Sequence, residues 1–453
     1  MKKTQFSAVG SEKAVVVLIV TMILDLLAFT CILPLFPSIL DFYSKSENKV
    51  RLDWLYEKFV SATVRFQEFL LAGFLLSKKK HKVKSLGFLG STFSGLQFLS
   101  FPLLGALSDI YGRKPLMIFS VIWSQASTFK LFLLSRLIGG LSKATVSLST
   151  AIVSDLYLPD TVGKGMALIG IAFSVSFIIG PMLGAYFVHT AEINISNHQL
   201  FFTSAANFAI VMSIIELIVI VVFMEESKND FQKTKLIQIV RNVMLYVQPS
   251  NLFGFTVVKN SISKIELQKL RIYGKAYFSY LFLFSGLEFT LSFLTRVRFN
   301  YNSMQQGKMF LFIGLIMVLT QGCLIRRLPI ARQAKYSCFG IIILFPAFII
   351  IAVSESFWIF HLGLFFYSIS PEFVVSCLTS CASNTSSPEL KGTTLGVFRS
   401  LGALARATGP IVASSGTFWL VGPKMCYILS AILLVIPMIF LSETPEKKIT
   451  KKE

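Results

Sequence analysis

The sequence predicts an all-α membrane protein with twelve transmembrane helices in two six-helix halves, and three observations carry that prediction. Of the 453 residues, 54% are hydrophobic and only 15% are charged, whereas ordinary soluble domains are about a quarter charged. The apolar residues gather into runs near the ~20 residues a helix needs to cross a bilayer. These runs form two groups of six on either side of a polar interval, residues 225–275.

The first expected helix, 14–40, follows the basic start MKKTQFSAVGSEK. It is too long for the apolar region of a cleaved signal peptide, and no clean small-residue cleavage site follows it. It therefore reads as a membrane helix with a cytoplasmic N-terminus. Helices 84–107 and 115–128 flank the polar stretch GALSDIYGRKP, residues 105–115. Helices 115–128 and 130–154 are cramped, because the forty residues between Pro115 and Asp155 must hold two spans and a tight turn. Lys130 falls beside that turn, where its ammonium reaches the interface. Helices 165–188 and 200–224 complete an N-terminal half, residues 1–224. Within the linker, 225–275, TKLIQIVRNVMLYV sets Ile237, Val240, Met244 and Val247 on one helical face. That pattern fits a helix lying along the membrane surface and equally a plain helical linker. Helices 276–298, 307–325, 336–353, 357–380, 391–415 and 421–441 make up the C-terminal half, residues 276–453.

Orientation follows from the loops. With the N-terminus inside, the cytoplasmic connections hold Arg113 and Lys114, Lys164, the basic linker, Arg326, Arg327, Arg332 and Lys335, and Lys391, and the tail EKKITKKE is also inside. This agrees with the positive-inside rule. SKKKHKVKS (77–85) departs from it, so 41–84 reads as a long external loop, a re-entrant piece or a local departure.

Composition also excludes. The net charge of +20 does not point to nucleic acid, because no soluble basic domain exists to bind it; cytoplasmic Lys and Arg against anionic headgroups account for the excess. The six cysteines lie in or beside apolar segments, which is packing usage, and the four histidines are scattered. No metal site and no cofactor are expected. SxxK occurs at Ser127/Lys130 and Ser261/Lys264 without its companion motifs, there is no P-loop, and no nucleophile–base–orienter set assembles. The chain does not read as an enzyme.

A charge inside a membrane helix is costly and marks a functional position by default. Asp25 lies near mid-span in VTMILDLLAFT, Arg136 in LLSRLIGG, Glu216 in SIIELIVIV and Glu288 in FSGLEFTLSF; Glu372 lies in SPEFVVS, and Arg399 and Arg406 in FRSLGALARATG. Desolvation and an arginine partner pull a carboxylate such as Asp25 in opposite directions. Asp25 with Arg136 therefore reads as a proton carrier with its partner, or as a permanent structural pair, and Glu288 is the matching acid of the second half. Glu216 has no obvious partner in sequence. Arg399 and Arg406, seven apart, share a helical face. They are expected to attract an anionic substrate or to pair with Glu288 or Glu372; Arg399 alternatively meets headgroups. Small residues recur: Gly180, Pro181 and Gly184 in the fifth helix, and Gly409 and Pro410 in the eleventh. Glycines let helices approach and prolines bend them, and such a bend is where two halves rock. Asn194 opens a sequon in an expected external loop and is a glycosylation candidate; Asn384 opens one in an internal loop.

GALSDIYGRKP resembles the major facilitator superfamily signature G-x-L-(S/A)-D-x-x-G-R-(K/R)-(K/R/P). LSRLIGG resembles the family's fourth-helix arginine motif. SFIIGPMLGA resembles the fifth-helix motif of its drug antiporters, with Ala185 where a second glycine is usual. LDLLAFT (24–30), residues 134–156, YLFLFSGLEFTLSFLT (280–295), QQGKMFLFIGL (305–315) and FRSLGALARATGP (398–410) resemble its tetracycline-transporter-like members. The likeness covers nearly the whole chain and departs around 60–85 and 116–133, where this sequence is shorter or altered. It implies the major facilitator fold and a proton-coupled or facilitative transporter of organic ions. It further implies that Gly105, Asp109, Gly112 and Arg113 latch the second and third helices to Asp155 and the eleventh helix, and that Asp25 and Arg136 carry proton coupling.

The expectation is a monomeric multi-pass membrane transporter, both termini cytoplasmic, working by alternating access. Its partners are a small amphipathic organic anion or drug, protons and the bilayer, with efflux the expected direction and Arg399, Arg406 and Glu372 as substrate contacts. The alternative is a non-transporting scaffold or receptor that keeps the fold, a reading the cramped third and fourth helices support.

Overall fold

The computed structural model describes residues 8–31, 145–157, 162–193, 200–224, 248–259, 261–329, 332–386, 391–418 and 421–443. The expected helices 84–107 and 115–128, and the surface-helix candidate 237–247, lie outside the described residues.

All described secondary structure is helical. The N-terminal group comprises α1 (Ala8–Thr30), α2 (Thr145–Leu156), α3 (Val162–Ile193) and α4 (Leu200–Phe223). α1 packs on α2, α3 and α4 around Leu18, Met22, Leu26, Leu148, Ile152, Met166, Ile169 and Ile220. On α4, Val211, Ile214, Ile218, Val221 and Val222 are exposed along one side, while Glu216 is only 1% exposed. An apolar stripe facing outward with the acid turned inward inverts the soluble pattern, as a helix surrounded by lipid requires.

The C-terminal group comprises α5 (Pro249–Gly254), α6 (Lys264–Phe299), α7 (Ser303–Leu319), α8 (Gln333–Val353), α9 (Phe357–Thr385), α10 (Lys391–Pro410), α11 (Pro423–Leu433) and α12 (Val435–Ser442). α6 begins at Lys264 rather than at the expected 276. A reciprocal capping box sets this start, with Ser263 Oγ accepting from the Glu266 backbone N–H and the Glu266 carboxylate accepting from the Ser263 N–H. Hydropathy sees only the apolar length, whereas capping sees where the backbone turns helical. At ~1.5 Å per residue, the 36 residues of α6 run beyond a ~30 Å hydrocarbon core, so its polar first turns project from the bilayer. The group's core is aromatic-rich, with Tyr277, Tyr280, Phe348, Phe360, Phe398 and Tyr427 buried.

Among the described residues, two stretches take π-helical geometry. α7 passes into a π-helical turn at Thr320–Leu324, and α10 into another at Ile411–Thr417, immediately after Pro410. Pro410 carries no N–H and its ring crowds the preceding turn, which accounts for the second widening; π turns are frequent at functional positions.

Among the described residues, seven helices are long and apolar enough to cross a membrane. The two groups meet where α3 packs on α7 and α9, and where α2 packs on α10. At the α3–α7 seam a Cβ added to Gly307 would come 2.9 Å from the Ala185 methyl. The glycine expected at 185 on one helix is thus present on the facing helix instead, and the close approach survives.

Candidate functional site

A cavity of about 250 Å³ opens between the two groups. The N-terminal group lines it with apolar side chains, among them Leu26, Phe29, Met166 and Phe173, and with Gly170. The charged lining comes from the C-terminal group: Glu288 on α6, Glu372 on α9, and Arg399 and Arg406 on α10. The four charged residues that sequence assigned to two functions therefore converge on one space.

Their geometry is organised by a residue sequence reasoning missed. Tyr277 is fully buried and stacks on Phe398 with ring centroids 4.3 Å apart. Its hydroxyl accepts a hydrogen bond from Arg399 Nη1 at 3.4 Å, and Arg406 also hydrogen-bonds to it. Two guanidiniums thus share one neutral oxygen. Arg406 lies in electrostatic range of Glu288 as well. Arg399 is 5% exposed and its Nε has no hydrogen-bond partner. Like charges at close quarters away from water repel, and a buried donor without an acceptor costs free energy. Both defects are relieved by an anion in the cavity. Glu372, 5% exposed, gives the same space an acidic edge.

The apolar walls include an aromatic ladder. Phe284 stacks on Tyr367 with centroids 4.7 Å apart and planes 11° apart, and Tyr280, outside the lining, also stacks on Phe284. Tyr280 is tied by its hydroxyl to Ser370 Oγ at 2.8 Å, while the Tyr367 hydroxyl has no partner. Flat faces beside fixed cations suit an amphipathic molecule. Gln321, on the π turn after α7, completes the lining with Ser376.

The remaining expected residues fall elsewhere. Asp25 is 9% exposed on α1, one residue before Leu26 of the lining, and does not itself line the cavity. Asp155 is exposed near the end of α2 and lies in electrostatic range of Lys391, the first residue of α10. Gly180 is buried, and a Cβ there would collide with Thr30 Oγ1, which donates to the Ser176 carbonyl at 2.8 Å. Pro181 and Gly184 follow on the same buried stretch. A Cβ at Gly409 would strike the Phe282 carbonyl and stand 2.7 Å from Ser285 Oγ, so Gly409, with Pro410 next to it, brings α10 against α6. Gly105, Asp109, Gly112, Arg113, Arg136 and Asn194 lie outside the described residues. Tyr277 carried no sequence signal, since one tyrosine in an aromatic-rich helix resembles core. Gln321 did carry one: an amide in the run MVLTQGCL is a polar group in an apolar span, as a charge is.

Comparison with known proteins identifies the family and the fold. Residues 17–410 match the sequence profile of the Major Facilitator Superfamily. The chain is 38% identical over 458 residues to major facilitator superfamily domain-containing protein 10 of Mus musculus, covering 98% of this chain and 95% of that one. It is 24% identical over 238 residues to the class B tetracycline resistance protein of Escherichia coli, about half of each chain. The crystal structure of the human organic anion transporter MFSD10 (TETRAN) superposes with a TM-score of 0.81 at 39% identity, covering 95% of this chain and 99% of that one. The chain belongs to the Major Facilitator Superfamily: it has that fold and is a multi-pass membrane transporter rather than an enzyme.

Proposed function

We propose that the protein moves amphipathic organic anions across its membrane by alternating access, as proton-coupled efflux. The observation that carries the anion assignment is that Arg399 and Arg406, which meet at the buried hydroxyl of Tyr277, both line a largely apolar, aromatic-walled cavity. The guanidiniums hold the anionic group, Glu372 tunes its position, and Phe284 and Tyr367 receive the apolar body. The relative described as a human organic anion transporter supports the same reading.

Proton coupling rests on the acids. Glu288 faces Arg406 in the cavity. When it is ionised it competes with a bound anion for that cation, and protonation withdraws the competitor. Asp25, buried next to the lining, together with Arg136, forms the second proton-linked pair. Asp155 at the α2–α10 meeting point, with Gly105, Asp109, Gly112 and Arg113, forms the latch that biases which side is open.

The test is uptake of radiolabelled 2-naphthoate into proteoliposomes with an imposed pH gradient, for wild type, Asp25→Asn and Arg399→Gln. Gradient-driven uptake is expected in wild type, gradient-independent uptake in Asp25→Asn, and background uptake in Arg399→Gln. Uptake indifferent to the gradient and to Asp25→Asn excludes proton coupling; uptake unchanged in Arg399→Gln excludes the anion site.

A further inference from the structure

We infer that Gln321 is a specificity-determining residue of this cavity, which recognises a hydroxyl or N–H group on the transported anion. The inference rests on the anion-site reading above and adds a second polar requirement to it. Gln321 has no solvent exposure, yet it lines the cavity. Its Nε2 donates to Ser376 Oγ at 2.6 Å, and its Oε1 has no partner. A neutral side-chain amide can make several hydrogen bonds, and leaving its carbonyl dry and unmet is unfavourable by itself.

Three features argue that this carbonyl belongs to recognition rather than to packing. The π turn Thr320–Leu324 adds a residue to the helical turn at that point; such insertions redirect side chains and concentrate at functional sites. Gly170 of α3 is the notch that admits the amide, since any Cβ there would collide with the Gln321 amide group. The Ser376 bond fixes the amide's orientation. A structural tie between α7 and α9 needs only the Ser376 bond and leaves the second end of the amide unexplained. A substrate donor meeting Oε1 satisfies that end. Because Gly170 stands on α3 and Gln321 on the segment following α7, the contact also sits at the seam between the two groups of helices.

The consequence is a preference between anions that share a carboxylate and an aromatic body and differ in one donor. A site that offers a buried acceptor penalises the analogue lacking the donor, because the acceptor then stays unmet. The experiment measures binding of 2-naphthoate and of its 3-, 5-, 6- and 7-hydroxy derivatives to the full-length protein in lipid nanodiscs. At least one hydroxy isomer is expected to bind wild type about tenfold tighter than the parent acid, equivalent to ~1.4 kcal/mol. In Gln321→Met, which keeps length and apolar bulk, the affinity ratio should fall to about one. In Ser376→Ala, which frees the amide but keeps its carbonyl, the ratio should shrink yet stay above one, and this variant separates recognition from a merely structural role. Wild type preferring no isomer overturns the inference while leaving the anion site standing. So does a preference that survives Gln321→Met, or one that disappears equally in Ser376→Ala. Binding of none of the acids overturns the anion site and this inference with it.

Discussion

Tyr277 and Arg399 are joined by a hydrogen bond of 3.4 Å from the guanidinium to the phenol oxygen, and Arg406 reaches the same oxygen. One hydroxyl therefore holds two cations in place. Tyr277→Phe removes the shared acceptor and leaves buried donors unmet, at a cost of about 1–3 kcal/mol. A lower melting temperature of the purified protein is expected. Tyr367→Phe is the matched control, because the Tyr367 hydroxyl has no partner; its melting temperature should stay near wild type. Equal effects of the two substitutions would remove Tyr277 from its central position.

The opposition of Glu288 and Arg406 makes a prediction with a definite sign. Protonating the carboxylate removes a negative charge beside the cation, so wild-type affinity for 2-naphthoate should rise as pH falls. Glu288→Gln mimics the protonated form permanently. It should bind the anion at neutral pH at least as tightly as wild type does at acidic pH, with a flattened pH profile. Isothermal titration across the pH range checks both parts.

At the seam between the groups, Gly307 and Ala185 stand methyl-to-backbone. Gly307→Ala overpacks this contact and should cost about 1–3 kcal/mol. Adding Ala185→Gly removes the opposing methyl and should return most of that loss. A double-mutant cycle on melting temperature measures the coupling, and additive losses would contradict the contact.

The meeting of Asp155 with Lys391 is modest, because Asp155 is exposed. Exposed ion pairs contribute about 0–1 kcal/mol, so Asp155→Asn should shift the populations of the two access states by no more than ~5-fold. Spin labels placed on α2 and α10 report the shift as a redistribution of distances. A complete switch of state would mean that Asp155 has partners stronger than Lys391.

Phe255 tests the attachment of the segment leading into α6. It is fully buried with a positive φ of 48°, a conformation uncommon for a side chain of its size. Its ring fills the space left by Gly274, near Leu401, and its anchoring is seconded by Arg271 Nε donating to the Gly254 carbonyl at 2.9 Å. Phe255→Ala should release the segment, at a local cost of about 3–5 kcal/mol, and speed limited proteolysis within 248–259. Unchanged cleavage would show that the segment is held by other means.

Much of the protein was legible in one dimension, because a bilayer imposes constraints that are themselves one-dimensional. A spanning helix must satisfy its own backbone and present an apolar exterior, so length and hydropathy mark α1, α3, α4 and α7–α9 before any packing is known. The cost of a buried charge likewise singles out Glu288, Glu372, Arg399 and Arg406 one by one. The family signature and the Gly-Pro pairs are local patterns of the same kind. Other features depend on what lies across a space, which no single helix records. Tyr277 gathers the two arginines because α6 and α10 pack at Gly286 and Gly409, and neither helix alone says so. Gly170 matters because Gln321 fills it, and Ala185 is tolerated because Gly307 faces it. Asp25 lies just behind the cavity wall rather than in it, a difference of one position on a helix face that periodicity does not resolve. The sequence by itself determined that this is a membrane protein with ionisable residues in its spans, since desolvation is a property of each residue and its neighbours in the chain, and its family signature marked it as a transporter. Only the tertiary structure decided which of those groups share a site, because hydrogen bonds and charge repulsion act through distances that only packing sets.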